Sequence, residues 1–462
     1  MMKSYKNITD SKIDWLGEVP NEWKVVKLKY ALADVPYPIV DGPFGTQLKA
    51  DEYTDSGVPL VRISNLDFKG NLTLEDIKFI SEQKALEIQR SRIKLNDIII
   101  GKTGATIGKS GLNDKIEYGI VSSSCLKISV DENKLLPLFF RYYVTSANFQ
   151  NIILQTASGS TRDTINITPM ANIEVVIPTL EEQIKIVQYL DHQTTIIDQL
   201  IQQKEKLIEL LKEKRQAVIN EAVTKGLNPN AKMKNSGIEW LGEIPETYRL
   251  LKIKSLLMSG KILQQDGNHG ELHPTADDYV DEGVPFIMAN NVNEGSVDLI
   301  NCKFLPLKIT EKLRIGFSKE GDVLITHKGT VGRVAIVPKI NTRYIMLTPQ
   351  VTYYRVLDKD ISNEYLALIF QSDFFQIQLK IMGSEGSTRS YVGLLNQKDL
   401  KLILPDYSTQ IQILSSITEK LNGFDGTINF IKIQIEKLKE YRQSIISEAV
   451  TGKIDVRDWQ VN

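Results

Sequence analysis

Few residues in this chain have types and spacings suited to chemistry. The run Gly101-Lys102-Thr103-Gly104-Ala105-Thr106-Ile107-Gly108-Lys109-Ser110 carries the glycines and the Lys-Ser pair of a loop that wraps nucleotide phosphates. Such a loop needs four residues between its glycines, and Gly104 and Gly108 enclose three, so a nucleotide site is not expected. A related stretch, His327-Lys328-Gly329-Thr330-Val331-Gly332-Arg333, keeps the glycines and basic residues but loses the Lys-Ser pair. Glycines beside Lys or Arg at the end of a strand still let backbone amides and cations approach phosphates. His269 and His273 stand four apart, a helical spacing for two metal ligands. Their surroundings, Asp266-Gly267-Asn268-His269-Gly270, are turn chemistry instead, and no third ligand is evident. His192 falls in a helical region with no nucleophile or carboxylate setting. There is no nucleophile elbow, dinucleotide fingerprint, H-E-x-x-H or Asn-Pro-Pro-Tyr methyltransferase tetrapeptide. No active site, and no metal or cofactor bound by this chain, is expected.

What remains is a set of polar, glycine-punctuated loops. In the first half they cover 41–49, 102–109 and 158–163, and in the second 266–273, 327–333 and 384–391. Hydroxyls, amides, His, Lys and Arg hydrogen-bond to base edges and phosphates, but they also fill ordinary solvated loops.

The elements that must hold these loops are written twice. IDWLGEVPNEWKVVKLK at 13–29 returns as IEWLGEIPETYRLLKIK at 238–254, with eight of 17 positions identical. The correspondence continues through 52–66 and 278–292, then 96–109 and 321–333. Gly159-Ser160-Thr161-Arg162 recurs as Gly386-Ser387-Thr388-Arg389, and 212–226 recurs as 439–453. Solenoid units are 20–50 residues long, so this longer period is a duplicated domain pair with an expected pseudo-two-fold. Each half begins with a mixed part. Short β-rich runs at 58–64, 97–102, 121–130 and 173–178 are bounded by Gly, Pro and Asn. Their counterparts lie at 284–290, 322–326, 351–356 and 400–405. One amphipathic helix is expected in each half, over 138–155 and 363–382, giving α+β domains.

Two proline-free stretches, 181–224 and 408–451, follow Ile177-Pro178 and Leu404-Pro405, where a helix cannot extend backward. Heptad positions from Leu190 to Ala222 are apolar at seven of ten sites, and those from Ile417 to Ala449 at nine of ten. That is a coiled-coil seam. Arg215 and Arg442 occupy matching seam positions and are costly there unless paired or snorkelling. Since the repeat is intramolecular, the helices are expected to pair antiparallel with each other, as a stiff spacer of ~66 Å that fixes the separation of two modules. A coiled coil that joins two chains is the alternative. The resulting organisation is a first domain at 1–180, helix 181–225, linker 226–237, second domain 238–407, helix 408–452 and tail 453–462.

A chain of 462 residues, 42% apolar and 24% charged, can bury several ordinary cores. Fifty-six basic against 57 acidic residues give a net charge of −1, which excludes a freestanding, strongly basic nucleic-acid binder but not local patches. Cys125 and Cys302 are the only cysteines, too few for a disulfide scaffold or a cysteine zinc site. No signal-type apolar stretch opens the sequence, and no run nears the ~20 residues of a membrane span, so a soluble, cytoplasmic protein is expected.

With these motifs in place, the chain resembles the specificity subunit of type I restriction–modification systems over its full length. The likeness rests on Trp15-Leu16-Gly17-Glu18-Val19-Pro20 and Trp240-Leu241-Gly242-Glu243-Ile244-Pro245, the Asp-Gly loops at Asp41 and Asp266, and the Gly-Val-Pro strands. It also rests on Asp97-Ile98-Ile99-Ile100 with its counterpart Asp322-Val323-Leu324-Ile325, and on the exit Ile177-Pro178-Thr179-Leu180-Glu181-Glu182-Gln183. The second exit, Leu404-Pro405-Asp406-Tyr407-Ser408-Thr409-Gln410, departs from that pattern. The resemblance implies two target-recognition domains separated by an antiparallel coiled coil, each reading half of a split, asymmetric site on double-stranded DNA. It implies a non-catalytic subunit that anchors two methyltransferase subunits, with restriction and translocation subunits in the full complex. S-adenosylmethionine, ATP and Mg²⁺ would then belong to the partners, which would also supply much of the phosphate neutralisation.

Within the loops, the residues expected at DNA are Thr46, Lys49, Lys102, Thr103, Lys109, Thr161 and Arg162 in the first domain. In the second they are His269, His273, His327, Lys328, Arg333, Thr388 and Arg389. The Gly-Ser-Thr-Arg pair has a second reading, as a turn cap. The competing function is a duplicated protein-binding scaffold that never touches bases.

Overall fold

The computed structural model describes residues 4–157, 164–270, 273–293, 295–384 and 391–460. The chain divides into two compact units, Met1–Lys204 with Lys432–Asn462, and Glu205–Ile431. In the first unit a five-stranded sheet has the order Ile39–Asp41, Cys125–Ile128, Ile98–Gly101, Ser110–Leu112, Gly70–Asn71. All neighbours are antiparallel except the last pair. A four-stranded sheet runs Lys78–Ile80, Val58–Val61, Gly119–Val121, Arg92–Ile93. The exit strand Glu174–Ile177 pairs with Lys24–Lys27.

The isoleucine run explains how the layers meet. Successive strand residues point to opposite faces. Ile98 and Ile100 enter the main core with Phe139, Phe140 and Phe149, while Ile99 enters a smaller core with Val61, Leu66 and Ile93. The second unit repeats the device. Val323 and Ile325 join Phe370 and Phe374, and Leu324 joins Ile287 and Ile345.

The predicted single helices are each two. Pro137–Thr145 and Ala147–Ala157 are separated by Ser146, and Asn363–Gln371 and Asp373–Ser384 by Ser372. Ser146 is extended, at φ −65° and ψ 147°. Its Oγ donates to the Tyr143 carbonyl at 2.7 Å and accepts from the Phe149 amide at 3.4 Å, closing one helix and opening the next. The apolar periodicity survives this break, because Phe139, Phe140, Tyr143, Phe149 and Ile153 all remain on the core side.

The long helices span Leu180–Thr224 and Tyr407–Val450. Each is tied down at its start by a buried glutamine. Gln183 donates to the Pro178 and Lys134 carbonyls and accepts from the Leu136 amide. Gln410 does the same with Pro405, Asp360 and Ser362. All twenty predicted seam positions are buried or half-buried, whereas the faces between them are mostly exposed. In the first unit Lys204 Nζ meets Gln434 Oε1 at 2.7 Å, and Arg442 meets Asp198 at 3.2 Å. One index falls while the other rises, so the helices are antiparallel. In the second unit Arg215 reaches both oxygens of Asp425, at 2.9 and 3.3 Å. The two seam arginines are thus paired, which is the condition for tolerating them there.

Each domain rests on the far end of the helix from the other repeat. Gln443 donates to the Thr145 carbonyl, and the Ala147 amide donates to Ser447 Oγ. In the second unit Gln216 donates to the Gln371 carbonyl and the Phe374 amide to Asn220 Oδ1. The segment expected as a linker contains the strand Met233–Asn235, which pairs with Glu243–Pro245 as Ile8–Asp10 pairs with Glu18–Pro20. The tail is held too, with the Lys453 ammonium on the Leu16 and Glu18 carbonyls and Trp459 edge-on to Tyr189. Both cysteines are free and buried. Among the described residues no helix is long and apolar enough to cross a membrane, and no His, Cys, Asp and Glu cluster is arranged to hold a metal ion.

Candidate nucleic-acid interface

Each Asp-Gly loop starts where an edge strand leaves its sheet. A Cβ on Gly42 would fall 2.1 Å from the Ser122 carbonyl oxygen, and one on Gly267 would fall 1.9 Å from that of Thr348. Glycine is therefore required at both positions by close backbone approach. Beyond Gly42 the chain turns outward. Phe44, Thr46 and Lys49 are exposed, the Gln47 side chain accepts from the Phe44 amide, and the Lys49 amide donates to Glu52 at 2.7 Å.

The neighbouring loop, 102–109, joins the antiparallel strands Ile98–Gly101 and Ser110–Leu112. It contains only a short turn of 3₁₀ helix, Gly104–Thr106. A phosphate-wrapping loop would deliver its glycines to a helix N-terminus, and this one returns into the sheet. Lys102 is buried and its ammonium sits 2.8 Å from Asp41, across the sheet. Thr103 bridges to Thr164, and Lys109 is half-buried with its ammonium 5.8 Å from the exposed Phe68 ring. Phe44, Phe68 and Arg90 belong with these residues although no motif marks them. Phe44 lies 5.8 Å from the Lys102 ammonium and, with Gln47, Glu87 and Arg90, lines a cavity of about 100 Å³. Arg90 stacks over Tyr37 at 5.5 Å. The one sequence signal for the aromatics is position, Phe44 inside the Asp-Gly loop and Phe68 just before Lys69-Gly70.

In the second unit, residues 327–333 link Val323–Thr326 to Val334–Ile336. His327 stands where Lys102 stands in the first copy and is 1% exposed. Its Nδ1 is 2.8 Å from Thr352 Oγ1. Burial, and then the Lys328 charge, push its imidazole down to about 4, so it is neutral at pH 7. Lys328 is exposed and its backbone bridges to Tyr391. Arg333 is half-buried, with its amide on Thr326 Oγ1 at 3.0 Å. His269 is exposed and 3.8 Å from Asp266, whose carboxyl is raised by burial and lowered in part by that histidine. His273 Nδ1 lies 3.0 Å from the Asn268 carbonyl, and its ring packs 5.9 Å from Phe286. Neither histidine is on a helix. Thr161, Arg162, Thr388 and Arg389 lie outside the described residues.

In both units, then, the loops at one edge combine exposed cations, hydroxyls and rings, while Lys102 and His327 face inward and use their polar atoms within the fold. The family model of the type I restriction modification DNA specificity domain matches residues 20–210 and again 262–440. The chain belongs to this family. Each matched stretch of the specificity chain takes in most of one mixed domain and runs on into a long helix. It is similar to the type I restriction enzyme MjaVIII specificity subunit of Methanocaldococcus jannaschii, 23% identical over 477 residues and covering 99% of both chains. It is similar also to the EcoKI specificity subunit of Escherichia coli strain K12, 22% identical over 95% of this chain and 90% of that one. A solved chain from work on complex assembly and conformational transition of the type I R-M system shares the fold. Its TM-score is 0.65 at 15% identity, with 94% of this chain and 99% of that chain covered.

Proposed function

We propose that this specificity chain reads a bipartite, asymmetric site on double-stranded DNA, one half with each mixed domain, and anchors two methyltransferase subunits that act on the site. Restriction subunits join them in the full complex. The chain itself performs no catalysis. S-adenosylmethionine, ATP and Mg²⁺ are used by its partners. The observation that carries this reading is the doubled family match over two domains that share a frame and differ in their loops. Thr46, Lys49, Thr103 and Lys109 face one half-site, and His269, His273, Lys328 and Arg333 the other. Lys102 and His327 support these loops from beneath.

The test is to map methylated adenines in cells that express this chain with its methyltransferase partner. A split motif is expected, one half of which changes when residues 1–180 are exchanged for those of a relative and the other when 238–407 are exchanged. Adding or removing one helical turn near residue 226, or in either long helix, is expected to change the tolerated gap and leave both half-site sequences as they were. Methylation that ignores base order would instead mark a protein-binding scaffold.

A further inference from the structure

The basic residue that ends each glycine loop is preceded by a glycine held from one side by a glutamine. Gln150 Nε2 donates to the Gly108 carbonyl at 2.9 Å and to the Val144 carbonyl at 2.7 Å. Gln376 Nε2 donates to the Gly332 carbonyl at 2.9 Å and to the Phe370 carbonyl at 2.6 Å. The fit is close enough that a Cβ on Gly108 would lie 2.1 Å from Gln150 Oε1, and one on Gly332 would lie 2.2 Å from Gln376 Oε1. Both glycines also have positive φ, +86° and +94°. The next residues are Lys109 and Arg333.

Each glutamine sits in the first turn after a helix break, where Val144 and Phe370 offer carbonyls that the interrupted helix leaves free. The same breaks are gripped from the other side by the long helices, through Gln443 and Ser447 in the first unit and Gln216 and Asn220 in the second. A continuous set of hydrogen bonds therefore runs from long helix to break to glutamine to loop, and it is built twice. The loops between the glycines differ in length and sequence, yet the glutamine, glycine and following cation keep their places.

We infer that Gln150 and Gln376 are positioning residues that hold Lys109 and Arg333 in register for DNA phosphates, one in each recognition domain. This rests on the proposed DNA-reading function. The amide suits the task because it donates two hydrogen bonds at once to two carbonyls, which neither a hydroxyl nor a carboxylate does.

The experiment uses the full chain assembled with its methyltransferase partner and measures binding by fluorescence anisotropy over a series of salt concentrations. The probes are a duplex carrying the mapped motif and one of scrambled sequence. Gln150→Met keeps the volume and removes both donors. It is expected to weaken binding to both duplexes about tenfold, the size of a lost charge-assisted contact. It should also lower the salt slope by about 1, as Lys109→Met does. Q150M with K109M is expected to be no worse than K109M alone, whereas Q150M with Arg333→Met should be additive. Q376M should couple to R333M in the same way. A purely structural glutamine predicts an unchanged slope and additivity with K109M, and either result overturns the inference. If Q150M fails to assemble, Gln150→Leu, which also lacks the donors and adds no charge, gives the same readings. Equal wild-type affinity for the two duplexes would sink the proposed function alone, because slope and coupling on scrambled DNA still report on the glutamine.

Discussion

The residue that follows the central strand faces inward in both domains, yet the two copies satisfy it by opposite means. In the first, Lys102 is paired with the Asp41 carboxylate at 2.8 Å. In the second, His327 gives up its charge and hydrogen-bonds to Thr352. Thr352 is in turn bound by Gln397, which accepts from the Tyr354 hydroxyl at 2.7 Å and from Gln264 at 3.2 Å. The partner strands differ at the matching position. Leu126 lies in register with Asp41, whereas Thr352 lies in register with Asp266, so there the second copy offers a hydroxyl and the first an apolar side chain. Asp266 is left to face His269 at the surface. The lesson is that the strand frame and its close-packed glycines are kept while the polar support beneath the loops is replaced as a set. Loops can then diverge without disturbing the sheet.

The largest effect should come from breaking the charged version. Asp41→Ala leaves Lys102 buried without its counter-charge, which is expected to cost the first unit about 3–5 kcal/mol. Urea unfolding followed by hydrogen exchange in each unit's strands reads this directly. Asp41→Leu with Lys102→Met should recover most of the loss, since replacing both members of a buried pair is far cheaper than removing one. Asp266→Ala should cost much less, and an equal penalty would end the distinction between the copies.

Acid is the next way to separate them. His327 titrates at about 4 in the folded chain, below the ~6.5 of a free imidazole, so the unfolded chain takes up its proton first as pH falls. The stability that neutral His327 contributes is therefore complete above pH ~6.5 and is lost on the way down to pH ~4. It is on the order of 3 kcal/mol in the second unit. His327→Gln should flatten that part of the pH profile relative to wild type. If both proteins lose stability in parallel between those limits, the imidazole is not the group responsible.

The long helices were legible because a heptad pattern is a local signal, and each predicted seam residue from Leu190 to Ala222 and from Ile417 to Ala449 is at least half-buried. The breaks at Ser146 and Ser372 were not, since the aromatic periodicity continues in phase across them and one serine in a helix is unremarkable. Each break is closed by its own serine and gripped from afar, the first by Gln443 and Ser447 and the second by Gln216 and Asn220, none of them near it in the chain. The candidate interface divides the same way. The Asp-Gly turns follow from residue type. Whether a cation at a strand end turns inward depends on the neighbouring strand, as Lys102 does on Asp41, and a linear reading of loop composition treats it like exposed Lys49.

The smallest effect tests the paired arginines, where the copies differ by one neighbour. Arg215 and Arg442 are equally sheltered, each 12% exposed, and each faces an aspartate on the opposite helix. Among the described residues Asp425 pairs with Arg215 alone, but Asp198 also takes Lys69 from the first domain at 3.0 Å. Asp425→Asn is therefore expected to lower the stability of the second unit by roughly 0.5–1 kcal/mol, in the range of a partly exposed pair. Asp198→Asn should cost the first unit more, because two cations lose one anion and the domain loses an anchor on its helix. A double-mutant cycle with Lys69→Met isolates that increment. Coupling between positions 69 and 198 should be a few tenths of a kcal/mol and should shrink in high salt, as expected for groups at this exposure. Zero coupling at low salt would show that Lys69 adds nothing to the hold of the domain on its helix, which Gln443, Ser447 and the Arg141–Asp191 ion pair would then supply.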